Sequence, residues 1–304
     1  VIINMDNTTV ADINRRLIHE REEGGAVALS RVLTLVIDAG HADVEPAIEA
    51  ANTASREHPC RVIALVQNDD IEGELHGQLR LGHDAGASEV IVLQHSAELA
   101  EHLDTLVLPL LLPDAPVVVY WPCNSPSSPS TDPLGKLAQR RITDSYSATD
   151  GMGQLREHRE HYAPGDTDLA WTRTTLWRGL IAATLDQPPY EPVLSASVTG
   201  EAGHPALDLL GAWLALHLEC PVEMERIEGA PGLTELRLER ESGPIVLSRP
   251  DGRNASLQVP GEPRQYITLP MRPLSESLAE DLRRLDADEA YGDVLLNGLA
   301  LLEE

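Results

Sequence analysis

The stretch DTDLAWTRTTLWRG, from Asp166 to Gly179, holds two of the chain's four tryptophans in a sequence that has no phenylalanine and a formal charge of −26. An indole beside a guanidinium is the composition of a protein–protein hot spot. The other side chains capable of chemistry are scattered. His158 and His161 could share a helix face in REHREH, but their Arg and Glu neighbours point to a solvated surface. His58 and Cys60 flank a proline, and that spacing does not by itself place an imidazole against a thiol. A buried structural cysteine at a strand start is the expectation there. Cys60, Cys123 and Cys220 are odd in number and form no CxxC, the pattern of reduced, cytoplasmic thiols without a disulfide framework or structural zinc. No GxGxxG, GxxxxGK[ST] or GxSxG occurs. DGMGQL at Asp150 has two glycines, no third, and no strand before it. No catalytic residue, metal site or cofactor is therefore expected.

The Trp/Arg stretch reads as one helix, capped at Asp166 or Thr167 and ended near Asp186 by Gln187-Pro188-Pro189. At 3.6 residues per turn, Leu169, Leu176, Leu180 and Ala183 line its buried side, flanked by Trp177 and Ile181. Arg173 falls on that side too, one turn before Trp177, where it could stack on the indole. Trp171, Thr175 and Arg178 fall on the opposite side with Gly179 and Ala182, and form the candidate partner-contact face, with Arg140 and Arg141 as further candidates. The competing reading packs Trp171 inside the protein, since large aromatics rarely stay uncovered. A second candidate site is PCNSPSSPSTDPLG, Pro122 to Gly135, which leaves a strand end at Trp121. Ligands of open α/β sheets gather beyond such ends, so Trp121, Cys123, Ser125, Ser127 and Ser128 could line a small-ligand loop, with Arg140 or Arg141 holding a phosphate.

Around these residues the chain alternates strands and helices. DINRRLIHEREEGG is an amphipathic helix over 9–23 with Ile13 and Leu17 one turn apart. AVALSRVLTLVIDAG, PCRVIALVQ, SEVIVLQH and PVVVYW read as buried strands, ELHGQLRLG as a half-exposed one, with helices DVEPAIEAANTASREH and AELAEHLDTLVLPLLLP between them. The pattern predicts an α/β domain over 1–165, an open, mostly parallel sheet with Rossmann-like layers. Past Gly165 come a strand, VLSASVTG, and an almost wholly apolar helix, HPALDLLGAWLALHLE. LTELRLER, PIVLSR, NASLQV and RQYITLP then alternate around Gly and Pro turns. That predicts an α+β domain over 166–304 with an antiparallel meander and a closing helix. The acidic charge disfavours nucleic acid and anionic membrane surfaces, and the longest apolar stretch is too broken by proline to span a bilayer.

REHPCRVI, LVLPLLLPDAPVVVYWP, DPLGKLAQRRITD, YAPGDTDLAWTRTTLWRGLIAATLDQPPYEP and LAEDLRRLDADEAY resemble, in order and over nearly the whole chain, the OpcA family of glucose-6-phosphate dehydrogenase assembly proteins. The resemblance implies a non-catalytic partner that supports assembly or activation of that dehydrogenase in the oxidative pentose phosphate pathway, with two domains meeting near Gly165. It carries no catalytic or ligand-binding residue over to this chain.

Overall fold

A computed structural model describes residues 1–23, 31–71, 75–82 and 89–302. The expected Gly-Gly stop after the first helix, and the start of the apolar run at Ala26, lie outside them. Two units emerge: Val1–Asp144 with Leu274–Ala287, and Ser145–Pro273 with Asp288–Glu304. Residues 145–165, read above as part of the first domain, cluster with the second unit, while 274–287 cluster with the first.

The first unit begins with β1 (Ile2–Met5), α1 (Val10–Glu23), β2 (Leu33–Ala39), α2 (Val44–Ala54), β3 (Cys60–Gln67) and β4 (Leu75–Arg80). It continues through β5 (Glu89–His95), α3 (Leu103–Val107), β6 (Val117–Trp121) and β7 (Arg140–Thr143). β2, β3, β5 and β6 are runs of Val, Ile and Leu buried along nearly their whole length, as strands covered on both faces must be. They pair in parallel in the order β5-β3-β2-β6-β7, and β4 and β1 extend the β5 edge antiparallel. The open, mostly parallel sheet read from the sequence is what the chain forms. Its strand order reverses between β2 and β6, and this is the topological switch point of a doubly wound fold. Ile13 and Leu17 of α1 join Leu75, Leu79 and Ile91 in one core. A Cβ on Gly77 would sit 2.7 Å from Ile13 Cδ1, so a glycine in β4 lets the helix lie close.

At the amino ends of β3 and β5 a charged cluster is buried. Glu89 is 1% exposed and Arg61, its register partner, 3%. Arg61 Nε donates to Glu89 Oε2 at 2.9 Å and Arg21 Nε, from α1, to Oε1 at 2.9 Å. Arg61 Nη1 also donates to the Leu110 carbonyl. Burial pushes the Glu89 carboxyl up, but the hydrogen bonds and charges of Arg21, Arg61 and Arg31 outweigh it and hold the group below its usual range. The ionised carboxylate thus stabilises the fold above the ordinary glutamate pKa, and that contribution is lost as acid protonates it.

The second unit runs through α4 (Gly151–Glu160), β8 (Asp166–Asp168), α5 (Leu169–Thr172), α6 (Thr175–Leu185), β9 (Ser195–Glu201) and α7 (Pro205–Leu218). Then come β10 (Val222–Ile227), β11 (Leu233–Glu239), β12 (Ile245–Ser248), β13 (Asn254–Gln258) and β14 (Gln265–Thr268). β11 to β14 form the expected meander of consecutive antiparallel strands, and β9 lies beside β11. β10, which the sequence reading passed over, pairs parallel to β9 after the α7 crossover. The closing helix is broken. Its first part, α8 (Leu274–Leu282), belongs to the first unit, and α9 (Glu289–Asp293) to the second. No helix among the described residues is long and apolar enough to cross a membrane.

Replacing Glu89 by Gln leaves the Arg61 guanidinium buried without its counter-charge. Urea unfolding at pH 7 should show a loss of about 3 kcal/mol, and a loss under about 0.5 kcal/mol, the range of an ordinary surface change, would contradict this role.

Candidate functional site

The switch point is the place where this sheet would hold a ligand, and the chain's own side chains occupy it. From the end of β2 the sequence reads Asp38-Ala39-Gly40-His41-Ala42-Asp43, with one glycine where a dinucleotide turn uses three. Trp121, ending β6, is buried, and its Nε1 donates to Asp38 Oδ2 at 3.2 Å. Cys123 Sγ donates to Asp43 Oδ2 at 3.0 Å. Asp43 is the N-cap residue of α2, yet its carboxylate makes no cap bond to the helix. Asp132 turns back into the loop, its Oδ1 accepting from Leu134 N at 2.9 Å and Gly135 N at 3.3 Å. A Cβ on Gly135 would lie 1.7 Å from the Pro129 carbonyl, so this loop closes tightly on itself.

Two carboxylates, Asp38 and Asp43, therefore flank the turn that leads into the helix end at which a phosphate would bind, and the charge of Asp132 reaches Asp38. At an effective dielectric constant near 20, each charge about 5 Å away repels an anion by about 3 kcal/mol. The carboxylates strain against one another as well: burial, then the charge of Asp132, raises Asp38 to about 6. Burial, then the hydrogen bond and charge of Asp43, raises the Cys123 thiol to about 11. Cys60 is raised by burial to about 12, and Cys220 is also raised by burial. Reactive cysteines are shifted the other way. Of the candidate loop residues, Trp121 is in the core, Cys123, Ser125 and Ser128 are half-buried and Ser127 is exposed. The Ser128 carbonyl is taken by the amides of Thr131 and Asp132 at 3.1 and 3.2 Å.

The Trp/Arg stretch differs from the single helix read in the sequence. Asp168 caps α5, accepting from Ala170 N at 2.8 Å and from Ser145 Oγ at 2.8 Å. That helix ends after one turn, and α6 starts afresh at Thr175. The break changes the phase. Trp171, placed outward by a continuous helix, is 2% exposed, whereas Leu176, placed inward, is 42% exposed. Ala183 is exposed too, and Trp177 is buried as expected. Trp171 packs with Leu155, Leu209 and Tyr291, and its Nε1 donates to Asp288 Oδ2 at 3.0 Å. Arg178 lies over its ring, 3.5 Å from the centroid, and donates to Thr174 Oγ1 at 2.9 Å and Thr175 Oγ1 at 3.1 Å. Arg173 sits over Tyr146 rather than Trp177, whose cation partner is Arg249 at 5.1 Å. Arg178 and Thr175 remain half-buried at the surface.

Arg140 and Arg141 are buried on β7. Arg140 ties α8 to the sheet, donating to Asp281 Oδ1 at 2.6 Å and to the Asp286 carbonyl at 2.7 Å. Arg141 Nη1 donates to the Ala138 carbonyl at 3.1 Å. Neither stands at the surface for a partner or a phosphate. His158, read as a surface residue, is buried in α4, while His161 is exposed beyond its end.

Two further features were not read from the sequence. His204 stacks on Tyr146 with centroids 4.1 Å apart, and its Nδ1 accepts from Ala206 N at 3.1 Å, capping α7. Burial, then the charges of Arg173 and Arg249, push its pKa down to about 4, so near neutral pH it is an uncharged cap rather than a proton donor. In the first unit a cavity of about 230 Å³ opens beside the start of α2, lined by His41, Glu45, His76, Gln78, Arg80 and Gln94. Its Arg80, Glu45 and Gln78 are joined in one hydrogen-bonded chain. Arg80 Nη1 donates to Glu45 Oε2 at 2.8 Å, Arg80 Nε to Gln78 Oε1 at 2.6 Å, and Gln78 Nε2 to Asn4 Oδ1 at 2.8 Å.

These features define a doubly wound α/β unit whose ligand crevice is closed by acid and indole, carried in one chain with an α+β unit. Residues 51–160 match the family of the glucose-6-phosphate dehydrogenase subunit N-terminal domain, and residues 164–295 that of the corresponding C-terminal domain. The chain belongs to the OpcA family. It is 27% identical over 198 residues to a Synechococcus elongatus protein provisionally named OxPP cycle protein OpcA. That match takes in 59% of this chain and 44% of the relative, so the chain spans less than half the relative's length. A 3-ketoreductase from Actinomadura kijaniata, solved with NADP, shares the fold with a TM-score of 0.50 at 11% identity, over 89% of this chain and 96% of that one.

Asp38 gives a test of the closed crevice. A carboxyl raised from 3.8 to about 6 binds its proton more tightly in the folded state, so its contribution to stability falls as pH rises from about 4 to 6. Asp38→Asn keeps an acceptor for Trp121 and should raise stability at pH 8 by about 1–2 kcal/mol, with a smaller gain at pH 5. Equal effects at the two pH values, read from urea midpoints, would contradict the buried charge.

Proposed function

We propose that this chain is a non-catalytic, cytoplasmic partner of glucose-6-phosphate dehydrogenase, an assembly factor and allosteric effector that binds the enzyme and activates it in the oxidative pentose phosphate pathway. The observation that carries the reading is the pair of matches, one in each half of the chain, to domains described as glucose-6-phosphate dehydrogenase subunit. The site chemistry supports it from the other side: a nucleotide crevice filled by Asp38, Asp43 and Trp121, thiols with raised pKa values, and a neutral capping His204 offer no nucleophile, base or phosphate cradle. The alternative, a sugar phosphate or nucleotide held by the 122–135 loop, draws no support from a crevice that repels anions.

The docking face is the exposed side of α6. Leu176 and Gly179 are exposed there, and Arg178 and Thr175 border them. Trp171 acts beneath this face rather than on it, holding the Arg178 guanidinium flat against its ring. A guanidinium fixed before binding loses little side-chain freedom on docking. Leu176→Glu changes an exposed side chain, so thermal unfolding should stay within a few degrees of the parent protein. Calorimetric affinity for the dehydrogenase from the same organism should fall about tenfold or more, as for loss of an interface anchor. Unchanged affinity would remove α6 from the interface, and absence of any complex with the parent protein would remove the effector reading itself.

A further inference from the structure

The second unit holds a cavity of its own. It measures about 180 Å³ and lies between the carboxyl half of α6 and the β13–β14 hairpin. Leu180, Ala183, Leu257 and Val259 give it apolar walls, and Thr184 and Arg240 add polar groups. Arg240 follows β11 and is 6% exposed. Its Nη1 makes a long hydrogen bond, 3.3 Å, to the Pro189 carbonyl, and its Nε has no acceptor. Among the described residues no carboxylate oxygen lies within 4.0 Å of it.

The two nearby acids hydrogen-bond other groups, although the charge of Arg240 adds to the Ser242 bonds that hold the Glu191 carboxyl below its usual range. Glu191 accepts from Ser242 Oγ at 2.7 Å and Ser242 N at 3.2 Å. Glu262, which also lines the cavity, accepts from Gln265 Nε2 at 3.4 Å. Three other buried arginines are better supplied: Arg61 and Arg140 each have a carboxylate and a carbonyl, although Arg140 Nε likewise has no acceptor, and Arg249 bonds two carbonyls. A guanidinium this buried, with one weak acceptor, is costly to the fold unless an anion reaches it.

We propose that this cavity binds a terminal carboxylate borne on a short, branched apolar body, with Arg240 as the anion-binding residue and Leu180, Leu257 and Val259 enclosing the body. A guanidinium presents donors in the planar fork that matches a carboxylate. The volume is equivalent to about six waters of bulk liquid, below the roughly 300 Å³ at which drug-sized pockets begin. It therefore suits a free short-chain acid or the last residue of a peptide, and both offer the same chemistry.

The test is calorimetry or ligand-detected NMR on the full chain with 4-methylpentanoate, its neutral amide, and an acetylated Gly-Leu dipeptide with a free or an amidated C-terminus. Binding of 4-methylpentanoate with at least tenfold preference over its amide assigns a free acid. The same preference seen only for the free-acid dipeptide assigns a peptide C-terminus. Arg240→Gln should weaken binding about tenfold or more, the loss of a charge-assisted bond. Ala183→Trp fills the cavity from an exposed helix position and should abolish binding even if Arg240→Gln fails to fold. No binding by either acid, equal binding of acid and amide, or binding undiminished in Ala183→Trp would each overturn the proposal.

Discussion

The register of β3 on β5, within the sheet of the first unit, is locked by one buried contact, Glu89 against Arg61. These two residues face each other across β3 and β5 at their amino ends, so the pairing that joins them also sets Gln67 against His95 at the carboxyl ends. A slip of one residue would turn one of the two charges to the opposite face of the sheet and leave both buried without their partner. Arg21 brings α1 to the same carboxylate, and the Leu110 carbonyl brings in the segment after α3. A buried ion pair is weak evidence for net stability, but removing either partner is expensive, and that makes it an effective register lock.

With the register fixed, the carboxyl ends of β2 and β6 fall side by side, which is where a doubly wound sheet exposes its ligand crevice. Here the crevice contains Asp38 bonded to Trp121 and Asp43 bonded to Cys123. The fold shared with an NADP-bound ketoreductase is therefore present without the glycine turn that lets a pyrophosphate approach. Function on a common fold resides in its site, and this site has been given over to packing. The account of the chain as an effector of a dehydrogenase, rather than a dehydrogenase itself, rests on that exchange together with the family to which both halves belong.

The sequence showed the layers better than the surfaces. β2, β3, β5 and β6 were legible because buried parallel strands are unbroken apolar runs, and the meander because its strands alternate between Gly and Pro turns. β10 was missed: VEMERI is an edge strand with exposed glutamates, and nothing in its composition marks it as paired. Trp171 was placed on the wrong side because the helical wheel assumed one continuous helix. The reset at Arg173 and Thr174 follows from Asp168 capping a separate turn, a contact made with Ser145, distant in sequence. Arg140 and Arg141 read as surface charges because the acid that buries Arg140, Asp281, lies 141 residues away. The strand end at Trp121 lies on β6, beside the switch point of the sheet. That Asp38 closes it could not be read, since the two residues are 83 apart.

The most direct measurement is the rate of NADPH formation by glucose-6-phosphate dehydrogenase from the same organism, with and without this chain. The chain alone, given glucose 6-phosphate and NADP, serves as the control. The account predicts no NADPH from the chain alone and a faster rate from the mixture, saturating as the chain approaches stoichiometry with the enzyme. NADPH production by the chain alone, or a dehydrogenase rate indifferent to it, would contradict the account.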